Sequence, residues 1–291
     1  MRTFGDRVID RCQRVGNPIC LGLDPRIELI PRGEGEDPVS AIRAFCDRVV
    51  DLVADKVAAI KPQAAFFEAW RSRGFEVFEH VCRYARDRGL VVVADVKRGD
   101  IGSTAAAYAQ AYLSSHEGDD PVAHAVTVNA YLGSDGVRPF VDAGAATGRG
   151  VFVLVKTSNP SSGELQDKKL ASGRTVCEEM AALVREWNEP LGETGYGSVG
   201  AVVGATYPQH LQELRGQLPG SILLLPGYGA QGAGAADVIP AFDAQGQGAL
   251  VSASRSLTFP WAKEGGPPAN WEERILSAVS AMHEELARVL R

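Results

Sequence analysis

The feature that most narrows the fold is a rhythm of short apolar runs, each ending in polar or glycine residues and each followed by a helical pattern. In chain order the runs are ICLGLD ending at Asp24, VAAIK ending at Lys61, VVVADVK from Val91, and HAVTVN ending at Asn129. VFVLVKTS ending at Ser158 follows, then SVGAVVGAT ending at Thr206, SILLLPGYGAQG, and GALVSASRS, which carries the chain to Arg255. Helical patterns run near Val39 to Asp55 and through Phe75, Phe78, Val81 and Tyr84, and the last places Ile275, Val279, Met282, Leu286 and Val289 on one stripe. Val91 to Ala94 is apolar at every position, as a parallel strand covered on both faces requires. Eight such units without a hairpin signal predict an α/β fold, a (β/α)8 TIM barrel with an N-terminal helix. The ~250 residues usual for that fold, with longer loops added, account for the 291-residue chain as one domain, residues 1–291. A doubly wound open sheet is the alternative, but no GxGxxG follows the first run.

The opening MRTFGDRVIDRCQRVG carries an apolar stripe at Phe4, Val8, Ile9 and Cys12. Its arginines suit a transit peptide, but Asp6 and Asp10 do not, so a helix covering one end of the fold is expected. The net charge of −6 offers no basic field to nucleic acid or to an anionic membrane, so any phosphate must be held locally. No apolar run approaches the length of a membrane span. Five scattered cysteines without CxxC read as reduced thiols of a cytoplasmic protein. The five histidines lack ligand spacing, so no metal site is expected.

Barrel active sites lie where strands end, which singles out Asp24, Lys61, Asp95, Lys97, Asp100, Asn129, Ser158, Gln231 and Arg255. The stretch VVVADVKRGDIGST delivers acid, base and acid within six residues, with Asp95 and Lys97 two apart and so on one face of a strand. Gly99 and Gly102 then break the strand, and Ser103 or Thr104 can open the next helix. On these residues alone, an ion-pair network closing the barrel mouth is as good a reading as catalysis. The glycine-rich Pro226 to Gly232 can cradle a phosphate with backbone N–H groups, and Arg255 at the next strand end can pair with the same anion.

DVKRGDIGST matches the D-x-K-x-x-D-I-x-x-T signature of orotidine 5′-phosphate decarboxylases. LGLDP, KPQAAFFE, TVNAYLGSD and PGYGAQG resemble the other motifs of that family in its longer bacterial subgroup, in register from about Cys20 to about Arg255. The resemblance implies conversion of orotidine 5′-monophosphate to uridine 5′-monophosphate, the last step of de novo pyrimidine synthesis, without metal or organic cofactor. It implies that Lys97 donates the proton to carbon six and that Asp95 lies beside the departing carboxylate. Asp100, with Thr104, would enter the site of a neighbouring subunit in a homodimer. Asp24 and Lys61 would hold ribose hydroxyls, Ser158 the pyrimidine amide, and Gln231 and Arg255 the phosphate. Ile101 and Pro226 would surround the leaving carboxylate with apolar surface. One departure is Ser254 before the arginine, where shorter family members usually have glycine.

Residue chemistry points the same way, because loss of carbon dioxide leaves charge on a ring carbon and a cation must already stand beside it. SNPSSGELQD and GYGAQGAG are polar or glycine-rich enough to serve as lids over a bound phosphate. Two rivals remain. A magnesium-dependent sugar-phosphate decarboxylase or aldolase of the same superfamily needs an acid near the second strand end, where Lys61 stands and Glu68 is expected on the following helix. A non-catalytic nucleotide-binding barrel would have lost Lys97 or an aspartate.

Overall fold

Strands β1 (Ile19–Leu23), β2 (Ala59–Pro62), β3 (Val91–Arg98) and β4 (Ala125–Val128) are followed by β5 (Gly150–Lys156), β6 (Val199–Val203), β7 (Leu223–Pro226) and β8 (Ala249–Ala253). Among the described residues, 2–115, 120–229 and 232–290 of this computed structural model, these eight close in sequence order into a parallel barrel. The ring is completed where Ile19 of β1 meets Val251 of β8. Helices of ten residues or more follow six of the first seven strands' positions and the eighth, from Pro38–Val53 to Trp271–Val289; after β7 only the short Ala235–Val238 and a 3-10 turn take that place. The (β/α)8 barrel read from the sequence is therefore the fold.

Alternation along the strands sorts the apolar residues into two cores. Ile19, Leu21, Ile60, Val92, Val126, Val151 and Val153 face outward into the layer beneath the helices. Cys20, Ala59, Val91, Val93, Ala125, Phe152, Leu224 and Leu250 face inward. Phe4, Val8 and Ile9 of the helix Phe4–Val15 join that inner cluster, so the N-terminal helix plugs the end where strands begin. Phe4 meets Phe152 edge-on at 5.6 Å. Each such buried side chain contributes about 1.5–3 kcal/mol, enough to seat a twelve-residue helix that would be marginal alone.

The helix starts at a capping box in which Asp6 N donates to Thr3 Oγ1 at 3.1 Å and Thr3 N to Asp6 Oδ2 at 2.9 Å. Asp6 also accepts from Thr194 N at 2.9 Å and Thr194 Oγ1 at 2.6 Å. Burial raises its pKa, and the hydrogen bonds from Thr194 and Thr3 overturn that, holding it at about 2. The acid that spoke against a transit peptide thus ties the plug to the barrel.

All five cysteines are free, and burial pushes the thiols of Cys12 and Cys20 up to about 12. Among the described residues no helix is long and apolar enough to cross a membrane.

Candidate active site

Following the inward phase toward the strands' C-terminal ends, the lining changes from apolar to polar. Two residues past Ala59 stands Lys61, past Val93 stands Asp95, past Ala125 stands Thr127, and past Leu250 stands Ser252. These side chains open into a cleft of about 610 Å³. Leu154, Val202 and Leu224 give it an apolar floor.

Asp95 is the hub, only 4% exposed. It accepts from Lys61 Nζ at 2.5 Å, Lys97 Nζ at 2.5 Å, Gln63 Nε2 at 3.0 Å and Thr127 Oγ1 at 2.9 Å. Burial alone would push this carboxyl up, but Lys61 and Lys97 outweigh it and hold the group well below the usual carboxylate range. Burial likewise works to lower Lys61, and Asp95, with Asp24 behind it, draws it above the ordinary lysine value. Asp95 and Lys61 are therefore ionised within this lysine–aspartate–lysine triad. Its two lysines differ in access: the side chain of Lys61 is 8% exposed and that of Lys97 45%. Lys97 is the cation of the triad that a ligand can reach.

Lys97 reaches Asp95 by an irregular path. The β3–β4 register runs through Val93↔Ala125 and Ala94↔Val126 and resumes at Arg98↔Val128, so β3 bulges between. Thr127 Oγ1 fills the gap, accepting from Val96 N at 3.0 Å and Lys97 N at 2.9 Å while donating to Asp95. Lys97 sits at φ 44°, a left-handed conformation that costs a lysine about 1–3 kcal/mol. Asp95 and Lys97, expected on one face of a regular strand, come together instead through a bulge.

Of the residues singled out from sequence, Asp24, Lys61, Asp95, Lys97, Ser158, Pro226 and Arg255 line the cleft. One buried oxygen of Asp24, Oδ1, has no hydrogen-bond partner, which leaves an acceptor for a ligand hydroxyl. Asp100, Ile101 and Thr104 do not line it. Asp100 Oδ1 accepts from Ile101 N at 2.8 Å, Ile101 is 54% exposed, and Thr104 is exposed on the helix Gly102–Leu113. That helix has Ile101 at its N-cap with no side-chain cap, which corrects the expectation that Ser103 or Thr104 opens it. Asn129 is also outside; its Oδ1 accepts from Tyr131 N at 3.1 Å and holds a turn. Gln231 lies outside the described residues.

Sequence reasoning missed Gln63, Thr127 and Arg26. Counting two residues on from Lys61, or two back from Asn129, finds the first two, whereas nothing local marks Arg26, which lines the cleft with its guanidinium 5.6 Å from the Phe66 ring. Ser254 stands at φ −107°, a conformation open to any residue, so the backbone path does not require glycine there. Space comes from the neighbouring strand, where a Cβ on Gly22 would lie 2.0 Å from Ser254 Oγ. Around Pro226, Gly227 and Gly229 take φ of 108° and 71°, and Tyr228 donates to Glu285 Oε2 at 2.5 Å, pinning the turn to the last helix. At the end of β5, the buried Lys156 pairs with Asp167 at 2.6 Å, and Gln166 Oε1 accepts from Thr157 N at 2.9 Å, folding the following loop back on its stem. Glu68 ends the short helix Ala64–Glu68 and pairs with Arg98.

A parallel barrel with a lysine–aspartate–lysine triad at its strand ends, beside an arginine and a glycine-rich turn after the last two strands, is a barrel enzyme set up for an anionic ligand. The chain belongs to the orotidine 5′-phosphate decarboxylase / HUMPS family, whose sequence signature matches residues 17–259. An orotidine 5′-phosphate decarboxylase of Rhodopirellula baltica is 44% identical over 301 aligned residues, covering 98% of this chain and 99% of the relative. That of Deinococcus radiodurans is 46% identical over 258 residues, covering 88% and 89%. The structure of Leishmania donovani OMP decarboxylase superposes with a TM-score of 0.78 at 32% identity, covering 99% of each chain.

Proposed function

We propose that this chain, as one decarboxylase domain over residues 1–291, converts orotidine 5′-monophosphate to uridine 5′-monophosphate in the cytoplasm, without metal or organic cofactor. The observation that carries the reading is the ionised, buried Asp95 presenting a reachable Lys97 ammonium at the cleft. As the bond from C6 to the carboxylate breaks, carbon dioxide leaves and the electron pair stays on C6. The Lys97 ammonium stabilises that charge and then gives C6 its proton; solvent restores the lysine. Asp95 beside the substrate carboxylate is repulsive before the bond breaks and less so after, while Lys61 keeps Asp95 ionised. Leu154, Val202 and Leu224 make the surround dry.

Asp24 with its free oxygen suits a ribose hydroxyl, Ser158 the pyrimidine amide, Arg255 and Gln231 the phosphate, and Pro226 the apolar side of the leaving group. Loops after β5 and β7 are the lids. Asp100, Ile101 and Thr104 serve the site of a second subunit in a two-fold homodimer. Two features support that assembly: these residues lie outside their own cleft, and Ile101, Tyr131 (78% exposed) and Leu132 put apolar surface on that side of the molecule. The backbone of Asp100 packs against Gly136 near Leu132, so the patch is continuous. The magnesium-dependent reading is disfavoured by Lys61 at the second strand end and by the engagement of Glu68 with Arg98.

The experiment is loss of orotate absorbance from orotidine monophosphate, with and without chelator, for the parent and Lys97→Ala. Chelator-resistant turnover that falls at least ~10²-fold in the variant, with nucleotide binding retained, supports the reading. Turnover in Lys97→Ala within tenfold of the parent removes Lys97 from the mechanism.

A further inference from the structure

The opposite end of the barrel carries three hydrogen-bond donors that nothing in the active cleft uses. His124 and Arg149 immediately precede β4 and β5, whose register pairs Ala125 with Gly150, and Gly150 N donates to His124 O at 2.9 Å. Arg7 stands over the same strand starts, because Phe4, one turn earlier in the plug helix, is seated on Gly150; a Cβ there would meet the Phe4 ring at 2.3 Å.

Other arginines at this end have partners for their terminal nitrogens. Arg11 Nη2 gives hydrogen bonds to Ala54 O and Val57 O, and Arg215 to Gly248 O at 3.0 Å and Ser221 O at 2.8 Å. Arg86 donates to Pro121 O at 2.6 Å and pairs with Asp87 at 3.3 Å, and Arg2 pairs with Asp10. Arg7 and Arg149 are different. The Nε of each is buried without a partner, as is that of Arg11, but unlike Arg11 neither guanidinium makes a hydrogen bond or ion pair with any described residue. Arg149 is 8% exposed, and Asp120, the acid that acts on it, stays beyond ion-pair reach. His124 Nδ1 accepts from Val92 N at 3.1 Å, which leaves the ring proton on Nε2 as a third donor. Burial first, then Arg7 and Arg149, push His124 down to about 3, so the ring is neutral beside two cations.

We propose that Arg7, Arg149 and the His124 Nε2–H form an anion site at the N-terminal end of the barrel, suited to a phosphate-type oxyanion. The set contains donors only, and two guanidinium forks match an anion with several oxygens better than a single carboxylate. Arg7 bears electrostatically on the buried Arg149, neither has a partner among the described residues, and a bound anion would relieve that repulsion.

Inorganic phosphate, titrated at constant ionic strength into the full chain, is the probe, with chloride as the exchanged ion. The His124 ring resonance, assigned by its loss in His124→Gln, should shift saturably, and Tm should rise. Both responses should persist in Arg255→Ala, which separates this site from the active cleft whatever the substrate proves to be. Arg149→Met and Arg7→Met should each weaken the response at least tenfold. In phosphate-free buffer, Arg149→Met should melt no lower than the parent, since it removes a buried charge that has no partner among the described residues. An unmoved His124 resonance in the parent, or an undiminished response in both variants, overturns the site. A lower Tm of Arg149→Met in phosphate-free buffer does so too, because Arg149 would then be a structural residue.

Discussion

Replacing Thr127 by valine keeps the shape of the side chain and removes one oxygen, and that oxygen organises the β3 bulge. It accepts from Val96 N and Lys97 N and donates to Asp95 Oδ1. Val96 is 7% exposed, so its amide has no water to turn to, whereas Lys97 is half exposed and its amide can be rehydrated. One orphaned buried donor costs about 1–3 kcal/mol, and two further lost bonds at about 1 kcal/mol each bring the expected destabilisation to roughly 3–5 kcal/mol. The same bonds hold Lys97 at φ 44°, so their loss lets the backbone relax and moves the ammonium. A displacement near 1 Å at a reacting group costs on the order of 10²-fold in turnover. The assays are urea denaturation and the loss of orotate absorbance, each run on Thr127→Val and on Thr127→Ser, which keeps the oxygen. Thr127→Ser should stay within about tenfold of the parent, and Thr127→Val should fall well below it in kcat with a smaller change in KM. A folded Thr127→Val that matches Thr127→Ser in both stability and kcat would refute this role for the hydroxyl.

Arg255→Ala should weaken binding and slow turnover of the nucleotide while hardly affecting the nucleoside without its phosphate; equal damage to both would make Arg255 structural. Lys97→Ala and Asp100→Ala, each inactive alone, should recover about a quarter of all sites when their subunits are reassorted, since random pairing makes half the dimers mixed and one site in each is intact. Proven subunit exchange without recovered activity would place Asp100 in its own chain's site or in none. Burial raises the Asp95 carboxyl and the facing Lys61 and Lys97 overturn that, so its stabilisation is full above the unfolded carboxylate pKa of about 3.9 and fades as pH falls toward the lower folded value. Parent stability should therefore drop more steeply than that of Asp95→Asn below about pH 4, although the variant, which leaves two lysines unpaired, should be about 3–5 kcal/mol less stable at neutral pH. Parallel acid limbs in the two proteins would show that Asp95 is not the group being protonated.

How much of this was legible in one dimension follows from the range of the forces involved. Strand and helix alternation is local, since apolar period and glycine punctuation are read within a few residues, and so the eight-stranded barrel and its plugging helix were accessible. Lys97, Asp95, Asp24, Ser158, Pro226 and Arg255 were legible because a parallel barrel sends every strand end to one face. Barrel closure and register decided the rest. Only the shift between β3 and β4 shows that Thr127 shapes the bulge and that Lys97 takes a left-handed backbone. Lys61 is legible as a strand-end cation, but its role as the buried counter-charge of Asp95 needs β2 beside β3, residues 34 apart in sequence. Asp100, Ile101 and Thr104 sit in the same motif as Lys97 yet leave its cleft, because the chain turns out of the barrel at Gly99 into the next helix. That Arg7 and Arg149 lack a partner among the described residues had no sequence signal at all, since a guanidinium is marked as unpaired only by what the fold fails to bring to it.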